Sequence, residues 1–401
     1  MCQNPNRSSN SNPNPSGEEQ ARDGKKQAQV QELARRLADG DAAARVQAAR
    51  DIRKLARASA KARSAFAVPA VVQPLVSMLP SPDPESREAA LLALLNLAVR
   101  NERAWQLTLL FDGILRLTKI SFTQFSVRNK DKIVNSGAVP HLIELLRSEI
   151  SSLRELATAA VLTLSASPSN KPTITSSGAV PLLVQILISG SMQGKVDAVT
   201  ALYNLSTCKE SLNLTLPVEA VKPLLILLKD SKKYSKFAEK AAALLEIISK
   251  TEEGRTSISE FDEGIQTLVE TIEEGSVLST EYAVGVLLSL CRSCRVRYRE
   301  LILKEGPIPG LLLLTVEGTN NAQVRARELL DMLRDDSRPK RVASKDLETI
   351  VYDIATRVDG PVKAPETAKR LLQDMVKRNM ESSIIRLQHR AASCTPKAPL
   401  I

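Results

Sequence analysis

Ser177-Gly178-Ala179-Val180-Pro181-Leu182-Leu183-Val184-Gln185-Ile186-Leu187 decides the fold, because the chain repeats it. Forty-one residues earlier stands Gly137-Ala138-Val139-Pro140-His141-Leu142-Ile143-Glu144-Leu145-Leu146, and forty-one later Glu219-Ala220-Val221-Lys222-Pro223-Leu224-Leu225-Ile226-Leu227-Leu228. Weaker copies open at Asp262-Glu263-Gly264-Ile265 and Gly306-Pro307-Ile308-Pro309-Gly310. In each, a small or turn residue redirects the chain. Pro then suits the first helical turn, where its missing N–H has no partner to lose. A Leu-rich helix, a short polar loop and a second Ala/Leu helix follow.

That second helix is the better ruler. Each copy sets one polar or charged residue among apolar neighbours: Lys54, Asn96, Thr163, Asn204, Glu246, Ser289 and Asp331. The intervals are 42, 67, 41, 42, 43 and 42, so five of six agree within two residues. A period near 42 in a helical pattern falls in the roughly 40–47 window of stacked helical repeats. The closing helix is apolar on more than one stripe, as in Ala159, Ala160, Val161, Leu162 and Leu164. Such a helix needs cover on two or three sides, and only neighbouring units can give it.

Composition agrees. The 401 residues are 43% hydrophobic but only 3% aromatic, so Leu, Ala, Ile and Val must fill the core. This favours packed helices over a β-sandwich. A single core stops growing near roughly 250–300 residues, which again points to a repetitive architecture.

The stretches Asn170-Lys171-Pro172-Thr173-Ile174, Ser177–Leu183 and Ala198-Val199-Thr200-Ala201-Leu202-Tyr203-Asn204-Leu205-Ser206 resemble the armadillo (ARM) repeat superfamily. The resemblance is to the plant branch related to U-box ubiquitin ligases, and it covers about residues 28–335. It implies an all-α, right-handed armadillo-repeat superhelical solenoid of six to seven units with a helical C-terminal cap. It also implies a monomeric, non-enzymatic protein-binding scaffold whose concave face holds an extended peptide or a partner domain. On that face the seven polar residues would form the partner-binding groove, running from Lys54 towards Glu246 and Asp331 and so suiting a peptide of mixed charge. The alternative is a component of the ubiquitin-ligase pathway. In the plant proteins a U-box precedes the repeats, and the polar residues before the first repeat here resemble none. Only the substrate-binding half of the resemblance therefore carries over, and ligase activity is not expected. The nuclear import adaptors are a second comparison. Asn96 and Asn204 match their peptide-clamping Asn, but Leu92 and Thr200 stand four residues earlier, where the Trp ladder would be. Two such amides could still hold a peptide backbone.

The interval of 67 exposes an insertion, Ala104 to Arg128, with Trp105, Phe111, Phe122 and Phe125. It reads either as a lateral docking surface or as a tolerated loop, since lengthening a connection costs little. The Asn/Pro/Ser-rich start is expected to be disordered through residue 25. Helices are expected over 30–37 and 44–58. Beyond 335, Arg338-Pro339-Lys340-Arg341 reads as a basic linker or a weak import signal. Helices from Ser344 to about Val358 and from Pro365 to about Ala392 would follow, covering the last repeat or binding a partner.

Chemistry finds little foothold. His141 and His389 are the only histidines, which argues against a His-based triad or zinc site. Cys291-Arg292-Ser293-Cys294 lacks a second ligand pair, so Cys291 reads as a core residue. No metal or cofactor is expected. The net charge of +10 and the cluster Arg292, Arg295, Arg297 and Arg299 permit nucleic-acid binding, but stacking aromatics and base-reading motifs are missing. The first 25 residues hold no apolar run. The longest apolar stretch, Ala89 to Val99, is broken by Asn96 and is shorter than the ~18–20 residues a span needs. Cytosol or nucleus is the expected compartment.

Overall fold

The computed structural model describes residues 15–99, 128–207 and 216–334, with parts of 352–377. Among the described residues every regular element is helical. The chain gathers into two compact units, 1–182 and 183–401, divided inside the helix Ala179–Ser189.

Each repeat closes on a long helix. In the first unit these are α1 (Ala42–Ala58), α2 (Pro84–Ala98) and α3 (Ser151–Ser165). In the second they are α4 (Met192–Ser206), α5 (Lys236–Ile248), α6 (Val277–Ser293) and α7 (Asn320–Leu333). The seven polar residues of the sequence ruler fall one to a helix. Within the first unit α1 packs on α2 and α2 on α3; within the second α4, α5, α6 and α7 pack in succession. Shorter helices back several of the closing helices, for example Val221–Asp230 on α5, Gly264–Glu274 on α6 and Ile308–Glu317 on α7. Among the described residues no single helix is long and apolar enough to cross a membrane.

The closing helices are held by burial. Ala241, Ala242, Ala243, Leu244 and Leu245 are all buried on α5, so consecutive residues face different neighbours around the helix. Each enclosed Leu contributes about 1.5–3 kcal/mol over an exposed one. Starts are set by side-chain caps: Asp41, Asp83, Ser191, Ser235, Ser276 and Thr319 accept from backbone N–H groups in the first turn. α3 is the exception, since Ile150 at its N-cap has no side-chain acceptor.

The turn before the backing helix needs a left-handed residue. Gly137 and Gly178 both sit at φ +82 with nothing near a notional Cβ, so conformation alone selects glycine there. The weaker copy makes the same turn with a different residue. Glu263, not Gly264, takes the left-handed turn at φ 62, while Gly264 opens the helix pressed against the Ile258 carbonyl.

The N-terminal boundary also moves. The first helix spans Pro15–Asp39, so residues 15–25, expected to be disordered, are helical. The reason lies in composition: Pro15 opens it, and Glu18, Glu19, Gln20, Ala21, Arg22, Lys25 and Lys26 are good helix formers. Residues 1–14, residues 104–127 of the insertion 104–128, and the basic linker 338–341 lie outside the described residues. At the C-terminus residues 364–371 are helical. Ala355, Ala364 and Ala368 bury one another, and Lys369 Nζ reaches Glu317 Oε1 at 3.2 Å. The helix thereby touches the backing helix of the last repeat.

Candidate functional site

In the first unit Lys54 is exposed on α1, whereas Asn96 on α2 and Thr163 on α3 are half-buried. Asn96 Nδ2 donates to the Leu92 carbonyl of its own helix at 2.8 Å, which leaves its amide oxygen to accept. Thr163 Oγ1 donates to the Ala159 carbonyl at 2.7 Å. Thr163 also borders a cavity of about 10 Å³ with Leu91, Leu95 and Leu142, space for about one water.

In the second unit Asn204, Glu246 and Ser289 are half-buried and Asp331 is exposed. Glu246 and Ser289 line one pocket of about 390 Å³, together with Ser249, Lys250, Arg255, Gly285, Arg292 and Arg325. Glu246 Oε1 on α5 lies 2.8 Å from Arg325 Nη2 on α7, so the pair bridges over α6. It crosses where α6 carries Gly285: a Cβ there would stand 2.7 Å from both Arg325 Nη1 and Glu246 Oε1. Arg325 Nη1 also donates to the Glu281 carbonyl at 3.0 Å. Tyr203 on α4 and Tyr282 on α6 likewise hydrogen-bond across α5, and burial pushes the Tyr282 phenol upwards. Neighbouring packed helices lie about 8–10 Å apart, so next-but-one side chains meet only where the face curves inward.

Burial pushes the Glu246 carboxyl above the usual carboxylate range, against the opposing pull of Arg325. The Ser289 hydroxyl donates to the Ser249 carbonyl at 2.7 Å, tying α6 to the end of α5. The charge expected of this end of the series is therefore reversed locally. Glu246 is answered by Arg325, and Lys250, Arg255 and Arg292 stand around it. Arg292 is gripped by both oxygens of Glu328 at 2.7 and 2.6 Å. Arg255 Nη1 donates to the Ser249 and Lys250 carbonyls at 3.1 and 2.9 Å.

The arginine cluster that permitted nucleic-acid binding is largely spent inside the fold. Arg295 donates to the Met332 and Arg334 carbonyls, both at 2.6 Å, and Arg299 to the Leu333 carbonyl at 2.9 Å. Together they close the C-terminal end of α7, whose last carbonyls have no helical partner. Arg297 lies 3.8 Å from Glu260 and over the Tyr298 ring. Cys291 is buried, and burial pushes its thiol up to about 11, as fits a core residue. The ruler found Glu246 and Ser289 but missed Gly285 and Arg325. One signal was present: a glycine within the otherwise apolar run Ala283-Val284-Gly285-Val286-Leu287-Leu288.

Residues 29–352 match the family described as the plant U-box protein ARM repeat region. The chain belongs to this family. U-box domain-containing protein 17 of Arabidopsis thaliana is 32% identical over 306 residues, 75% of this chain and 38% of that protein. U-box domain-containing protein 45 of the same plant is 30% identical over 270 residues, 67% of this chain and 31% of that protein. The chain thus spans roughly a third of the length of these curated relatives. Among solved structures, one described as "A conserved phosphorylation switch controls the interaction between cadherin and beta-catenin in vitro and in vivo" superposes with a TM-score of 0.53. It is 17% identical and the match covers 85% of this chain and 75% of that one, a likeness of fold alone. The chain is an all-α ARM-repeat solenoid, a protein-interaction fold that is typically non-catalytic.

Proposed function

We propose that this ARM chain is a non-enzymatic scaffold, acting as a monomer in cytosol or nucleus, that holds an extended peptide or partner domain against its closing helices. One observation carries the reading: the inward-curving face of α4 to α7, with its open pocket around Glu246 and Ser289. An extended peptide leaves every other backbone N–H and C=O unpaired, and half-buried amides and hydroxyls can satisfy them. Asn96 and Asn204 are the amides of the series. A peptide selected from a random display library against the full chain should lose about fivefold or more in affinity on Asn204→Ala or Asn96→Ala, measured by fluorescence anisotropy. Unchanged affinity in both variants would refute the groove assignment.

A second reading is favoured by the relatives' names: the chain would serve as the substrate-holding part of a ubiquitin-ligase system. Recovery of ubiquitin-conjugating enzymes with the full chain as bait would favour it. A capture that brings down a partner without them would count against it.

A further inference from the structure

We infer that the pocket between α5 and α6 is a subsite for an acidic side chain, a carboxylate carried by the bound segment. This rests on the scaffold reading and adds the chemistry of the occupant. Four cations and one carboxylate line the pocket: Lys250, Arg255, Arg292 and Arg325 against Glu246. Two of the cations are already answered, Arg325 by Glu246 and Arg292 by Glu328. Lys250 and Arg255 form no close ion pair among the described residues, although the Lys250 charge adds to the pull on the Glu246 carboxyl. Lys250 is exposed at the end of α5. Arg255 is half-buried and fixed by two backbone carbonyls, so its guanidinium is positioned in advance. Preorganised guanidinium donors form the stronger, charge-assisted hydrogen bonds to carboxylates.

The hydroxyls fit the same occupant. Ser249 Oγ donates to the Glu246 carbonyl at 2.7 Å, Ser289 Oγ to the Ser249 carbonyl at 2.7 Å, and Ser293 Oγ to the Leu290 carbonyl at 2.7 Å. With their protons committed, the accessible Ser289 and Ser293 oxygens offer only lone pairs, which suit the N–H groups of a peptide backbone, while Ser249 is fully buried behind them. Cations for the side chain and acceptors for the main chain thus share one cavity, and a basic peptide would meet like charge there. The pocket's volume of about 390 Å³ leaves room for a side chain together with its backbone.

The test uses a random dodecapeptide library displayed on phage and selected against the full chain. Selected peptides should share acidic positions. Their affinity should fall about tenfold or more on Lys250→Glu and on Arg255→Glu, and should weaken with added salt. The Lys250 side chain is exposed and makes no hydrogen bond among the described residues, so K250E remains informative should R255E fail to fold by circular dichroism. Selected peptides of neutral or basic consensus, or affinities within about twofold of the parent on K250E, would overturn the acidic subsite while leaving the scaffold reading intact. A library that yields no binder would overturn both.

Discussion

Gly285 is where the candidate face is most sensitive to a single atom. Alanine in place of a helix-interior glycine ordinarily stabilises by about 0.5–1 kcal/mol. Here the added methyl would occupy the crossing of Glu246 and Arg325. The pair should part, so its coupling energy, about 1 kcal/mol or more with Gly285 in place, should fall near zero in a Gly285→Ala background. A double-mutant cycle with Glu246→Gln and Arg325→Met, read by urea unfolding, measures it; unchanged coupling would mean the pair does not depend on the glycine. Glu246 also has a pH signature. Its carboxyl is pushed up by burial, so the folded chain binds the proton more tightly than the unfolded one. Its contribution to stability should therefore decline as pH rises from the ordinary value of 4.5 through the raised one. Glu246→Gln should flatten that slope, and an identical slope in the variant would contradict the assignment. Glu246 and Ser289 were legible as a polar series, but Arg325 was not. It arrives from two repeats away, and no spacing within one helix could connect them.

At the scale of the element, the caps explain both the regularity and its single lapse. Six closing helices begin on an Asp, Ser or Thr whose oxygen satisfies first-turn N–H groups, while Ile150 offers α3 nothing. Ile150 is 39% exposed with an extended backbone, φ −74 and ψ 109, so a capping side chain fits without repacking. Ile150→Asp should raise stability by about 1 kcal/mol in urea melts, with Ile150→Ala giving no such gain. Equal behaviour of the two variants would show that the cap is not what α3 lacks. The closing helices were legible because burial on several sides writes apolar residues all round them. The start of the first helix was not, because residues 15–25 carry charge without an apolar stripe.

For the molecule as a whole, repetition made the architecture readable and the insertion made it testable. Asn129 Nδ2 donates to the Leu97 carbonyl at 3.1 Å, and Asn170 Nδ2 donates to the Leu164 carbonyl at 3.2 Å. Leu97 and Leu164 each follow the ruler residue of their helix, so the chain rejoins the repeat at the same place in both units of the pattern. Residues 98–103 alone would supply six links where 165–169 supply five. Deletion of 104–128 should therefore preserve or raise the melting temperature, and cooperative loss of structure would show that the segment is structural. Which face binds is less legible, because charge on a solenoid is set by side chains that meet across repeats. A second pocket of about 680 Å³, lined by Glu252, Glu253 and Glu260 with Lys222, supplies the contrast. The most direct measurement places a photo-crosslinking benzoylphenylalanine at exposed Ser293, on the α6 pocket, or at exposed Glu253, on the acidic one. Library-selected peptide should crosslink at 293 and not at 253. Crosslinking at 253 alone would contradict the assignment of the binding face.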